Sequence, residues 1–96
     1  MHKLTVFYTQ PADVDAFETA YANHLALVEK VPGIAGTRLT RGLTTLRGDG
    51  YYLVAEMLFA DQETLDAAMN SPEMAAVGKD ARQFADNLSG MMLATE

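Results

Sequence analysis

The sequence predicts an α+β fold in the order β-α-β-β-α-β, a four-stranded antiparallel sheet with helices on one face, and three observations predict it. Residues 13–32 place Val14, Phe17, Tyr21, His24, Val28 and Val31 at helical spacing, so that all six share one stripe. Residues 51–59 concentrate Tyr, Val and Phe in the strongest strand run of the chain. The runs ending Phe7-Tyr8 and Leu58-Phe59 each lead to an Asp suited to cap a helix, so the two halves of the chain echo each other.

In order, residues 2–8 read as a strand, with Leu4, Val6 and Tyr8 on one side and Lys3, Thr5 and Phe7 on the other. Gln10-Pro11-Ala12 breaks it, Asp13 is the N-cap of the first helix, and Val31-Pro32-Gly33 ends that helix because the residue before proline is disfavoured in helix. Residues 34–44 favour a second strand, with Gly42 at a bulge or a frayed end, and 46–50 form a turn that makes the next strand antiparallel. In 51–59 both faces are apolar except for Glu56, so both sides of the sheet should be covered. Asp61 caps a helix through Met69, burying Leu65, Ala68 and Met69. Ser71-Pro72-Glu73 starts another, in which Met74, Val77, Ala81, Phe84 and Leu88 share a face, with Asp80 at its margin and Gly78 weakening the middle. A short strand at 91–94 closes the order. This is the ferredoxin-like plan; both crossovers put their helices on the same side, which leaves the far face of the sheet to be covered by a second copy.

Ninety-six residues form a single domain, 1–96. They are 49% hydrophobic with a net charge of −6, which argues against nucleic acid and anionic membranes as partners. Without cysteine there is no disulfide, thiolate zinc site or thiol nucleophile, and His2 and His24 lack the spacing of a metal site. The glycines lack a nucleotide fingerprint, so no cofactor is expected. The amino end has no apolar signal core and no run is long enough to span a bilayer, so a soluble cytoplasmic protein is expected.

His24 is the anomaly, the ionisable member of an otherwise apolar stripe with Tyr21 one turn before it. A core imidazole bonded to a carbonyl accounts for such a residue; so does a general base at the floor of an apolar pocket. In the second reading Asp80 or Glu56 orients one ring nitrogen, and Tyr21 stabilises a developing oxyanion. The pocket then lies between this helix and the sheet of its own subunit, and it suits proton abstraction beside a carbonyl on a small hydrophobic molecule.

Several motifs together resemble the EthD-like family of dimeric α+β barrels: the opening strand 4–8, Tyr21-x-x-His24-Leu25-x-Leu27, Val31-Pro32-Gly33, Phe59-x-Asp61, Ser71-Pro72-Glu73, then Asp80 and Phe84. Ala26 stands where the family usually has proline, and Met74-Ala75 where it favours Gly-Gln. The resemblance implies a homodimer, a His-bearing pocket, and an oxidoreductase or accessory role in the catabolism of small hydrophobic or aromatic compounds. Relatives on this fold that isomerise, dehydrate or decarboxylate imply a cofactor-free alternative, and a non-catalytic binder is the third. The expected site is thus His24, Tyr21 and Asp80 for catalysis, with Tyr8, Glu56 and Phe84 in substrate binding.

Overall fold

The computed structural model describes residues 1–95. Its elements run β1 (His2–Tyr8), α1 (Val14–Val28), β2 (Ile34–Thr40), β3 (Leu53–Phe59), α2 (Gln62–Met69), α3 (Pro72–Phe84) and β4 (Leu88–Thr95). The strands form one antiparallel sheet in the order β2-β3-β1-β4, which is the ferredoxin-like topology.

The helix starts follow the local chemistry. Asp13, Asp61 and Ser71 are extended N-caps whose side chains accept from the backbone N–H of Ala16 (3.0 Å), Thr64 (2.8 Å) and Met74 (3.1 Å). Pro72 occupies the first turn of α3, where no amide donor is needed. After α1, Gly33 turns the chain at φ +76°, and a Cβ there would run into Thr64 Cγ2, so glycine is required twice over.

Alternation sorts β1 and β3 onto two faces. Leu4, Val6 and Tyr8, with Leu53, Ala55, Met57 and Phe59, point toward the helices and are buried with Phe17, Tyr21, Val28, Leu65 and Val77. The other face carries Phe7, Val54 and Leu58 around Lys3, Thr5 and Glu56, and no element of the chain packs over it among the described residues. Residues 41–52 form a long exposed connection rather than a tight turn. Arg41 pins one end to α1 by donating to both carboxylate oxygens of Glu18 (3.0 and 2.7 Å), and Tyr52 Oη pins the other by donating to Glu18 Oε2 at 2.5 Å.

Several boundaries differ from the sequence reading. Leu88 belongs to β4, not to α3, because the helix ends at Phe84 and Ala85 has left helical geometry (φ −112°, ψ 77°); the side chain still reaches the core, now as the strand partner of Tyr8. The last strand is accordingly longer than 91–94. The third begins at Leu53 because Tyr51 and Tyr52 belong to the pinned connection, and the second stops at Thr40, with Gly42 beyond it at φ +68°. Val14 and Met69 are exposed rather than buried.

Candidate functional site

The stripe of α1 turns His24 inward, where the residue is 2% exposed. Its Nδ1 lies 2.8 Å from Oδ2 of Asp80, which the margin of α3 presents across the helix pair. The carboxylate keeps about a third of its surface in water while the imidazole keeps almost none. With Asp80 ionised, Nδ1 donates and Nε2 is left with a free lone pair. Among the described residues Nε2 has no protein partner, nor is it among the sealed, unpartnered atoms.

His24 lines a cavity of about 170 Å³ between the sheet and the helices. Leu4, Val6, Ala55 and Met57 make its floor, with Leu88 and Met91 at the β4 edge. Met69 of α2 and Met74, Val77, Gly78 and Ala81 of α3 complete the wall. Its side-chain polar groups, apart from the imidazole, are the phenols of Tyr8 and Tyr21, whose rings meet edge to face at 5.6 Å. Neither hydroxyl has a protein partner among the described residues, and neither is sealed off. Burial, with Asp80 nearby, pushes the Tyr8 phenol up to about 12; burial above all, and then the adjacent Tyr8, raises Tyr21 further. Both are therefore neutral at ordinary pH, each with a proton to donate.

Three of the six expected residues, His24, Tyr21 and Tyr8, line the cavity, and Asp80 stands outside the wall on Nδ1 of His24. Phe84 is not in the cavity wall; its ring backs the imidazole, centroids 5.1 Å apart, and packs against Tyr21 and Phe17. Glu56 is a correction. It lies on the opposite face of the sheet, paired with Lys3 Nζ at 2.9 Å and 3.9 Å from Arg38, because an even-numbered residue of β3 points away from the helices. The sequence places Met69 and Met74 on the buried faces of their helices and marks Gly78 only as a weak point in mid-helix; in the structure all three line the cavity. Among the described residues, no three His, Cys, Asp or Glu side chains are grouped to hold a metal, and no helix is long and apolar enough to cross a membrane.

The EthD domain model matches residues 9–88. The chain belongs to the EthD domain family. A crystal structure of an ethyl tert-butyl ether d (EthD) family protein from Bacillus halodurans is 40% identical over all of this chain and 98% of that one, with a TM-score of 0.89. An uncharacterised 11.0 kDa protein from the thcB-thcC intergenic region of Rhodococcus erythropolis is 29% identical, covering 100% of this chain and 95% of its own. More distant structures share the fold. One is a cofactor-independent oxygenase, SnoaB of Streptomyces nogalater (20% identity, TM-score 0.65, 99% and 90% covered). Another, from Thermobifida fusca, is described as a dimeric ferredoxin-like protein of unknown function (11%, TM-score 0.68, 99% and 89%). The EthD match encloses Tyr21, His24 and Asp80, and Tyr8 sits one residue before it.

Proposed function

We propose that this EthD-family chain is a cofactor-free proton-transfer enzyme acting on a small hydrophobic molecule, with His24 as general base. The observation that carries the reading is the 2.8 Å bond between Nδ1 and Asp80, which leaves Nε2 unpartnered at the wall of an apolar cavity. His24 Nε2 takes a proton from a carbon beside a carbonyl, and the electron pair of the broken C–H bond moves onto the carbonyl oxygen. The neutral phenols of Tyr21 and Tyr8 donate to that oxygen, and the apolar walls strengthen those bonds by excluding water. Asp80 stabilises the imidazolium until the proton is returned to carbon or passed to solvent at the rim.

Isomerisation, by return of the proton to another carbon, and dehydration, by loss of a hydroxyl from the next carbon as water, are ways for the resulting enolate to proceed. The likeness to a cofactor-independent oxygenase supports a further one, in which the oxidoreductase label is met by reaction of the carbanion with dioxygen. A homodimer is part of the proposal. Dimeric relatives of this fold and the uncovered face bearing Phe7, Val54 and Leu58 support a second copy as its lid.

The experiment is His24→Ala, assayed for turnover and for ligand binding separately. Loss of turnover with binding retained is expected; unchanged ligand handling in the variant would establish the non-catalytic binder instead. Repeating the wild-type assay without oxygen divides proton transfer, which persists, from oxygenation, which stops.

A further inference from the structure

The cavity that His24 faces is defined by its size and by the charge it lacks, and both bear on which molecule it accepts. At about 170 Å³ it is close to the roughly 150 Å³ at which an apolar protein cavity holds benzene. Three fused rings exceed that volume and would have to extend past the exposed rim at Met69 and Met91. Gly78 lines it, and a methyl built there would meet only the Arg82 guanidinium, at 3.4 Å.

The charge argument is independent of size. No Lys or Arg is in the wall. Arg41 is committed to Glu18, and Arg82 is exposed and outside the wall, its guanidinium near Gly78. While Asp80 is ionised, a proton taken up by His24 is matched at 2.8 Å, so the pair carries no net positive charge. An anionic ligand would lose its hydration, find no counter-ion in the wall, and sit near Asp80. A neutral carbonyl or hydroxyl finds two phenol donors and one basic nitrogen.

We infer that the site takes a neutral, one-ring compound carrying a carbonyl or hydroxyl beside an acidic hydrogen, and that it rejects carboxylates of the same size and fused polycycles. This deepens the proton-transfer reading and rests on it for the position of the reacting hydrogen.

The test uses three probes on the full-length protein at pH 8: acetophenone, benzoate and anthrone, titrated by calorimetry and by the ¹⁵N-labelled imidazole of His24. Acetophenone is expected to bind and move the His24 signal, benzoate to bind at least roughly tenfold more weakly, and anthrone to leave the signal unchanged. Benzoate binding as tightly as acetophenone, anthrone binding more tightly than either, or none of the three binding overturns the assignment. Gly78→Leu is expected to abolish acetophenone binding, and a folded Gly78→Leu that binds it as the wild type does contradicts the size limit. Deuterium exchange into the acetophenone methyl group keeps the two readings apart. A probe series that behaves as expected with no His24-dependent exchange refutes the base and leaves the ligand class standing, whereas His24-dependent exchange combined with tight benzoate binding does the reverse.

Discussion

At the scale of single residues the site is a division of labour among four ionisable groups, each set by its surroundings. Asp80 keeps contact with water while His24 does not, so the carboxylate can hold the imidazole in one tautomer without itself being buried. Replacing Asp80 by Asn should leave the fold intact and cut turnover by about 10²- to 10⁴-fold, nearly as far as His24→Ala, because the amide can donate to Nδ1 and hold the ring in the wrong tautomer. Steady-state rates of the two variants check this. Tyr8 gives a prediction about stability. Its phenol titrates higher in the folded chain than the ordinary 10, at about 12, so the unfolded state ionises first. The contribution is complete below pH 10 and is lost as the pH rises toward 12, on the order of 2 kcal/mol. Denaturant melts at pH 9 and pH 12 should show this loss, and Tyr8→Phe should reduce it. His24, Tyr21 and Asp80 were legible in the sequence because helical spacing fixes which residues share a face. Glu56 was not, since a strand apolar on both sides does not say which side its helices cover.

At the scale of elements, the caps and turns were written locally and the ends of elements were not. Asp13, Asp61 and Ser71 each satisfy an amide at a helix start, a decision made within four residues. Leu88 instead continued the spacing of α3 on paper; the long-range pairing of Tyr8 with Leu88 claims it for the sheet. The extent of the 41–52 connection was equally hidden, because the anchoring of Arg41 and Tyr52 on Glu18 joins residues far apart in the chain. The guanidinium hydrogen-bonded to Glu18 holds that carboxyl below the usual range, so the anchor is present above the ordinary carboxylate pKa and is lost as the pH falls through the lowered one. Glu18→Gln should therefore loosen 41–52 at neutral pH, seen as faster amide exchange there, with little change in global stability since the pair is partly exposed. Gly33→Ala should cost about 1–2 kcal/mol in denaturant melts, from the left-handed backbone angle together with the encounter with Thr64.

At the scale of the whole molecule, one face of the sheet builds the cavity and the other, with Phe7, Val54 and Leu58, has no helix or strand over it among the described residues. The plan was readable because two β-α units of similar punctuation have few ways to make a sheet, whereas the cavity was not, since it is the space left by side chains from six elements. Light scattering should give a mass near twice the 10.4 kDa of one chain, and Leu58→Glu, a change on the uncovered face, should shift it toward the monomer. The central claim is that this shell holds His24 with one nitrogen tied to Asp80 and the other free toward the cavity. The most direct measurement is the ¹⁵N–¹H long-range correlation spectrum of the His24 imidazole at pH 8, in the wild type and in a Leu58→Glu monomer. The account predicts a neutral ring protonated at Nδ1 and bare at Nε2 in both; a proton found on Nε2, or a ring exchanging rapidly between the two forms, would contradict it.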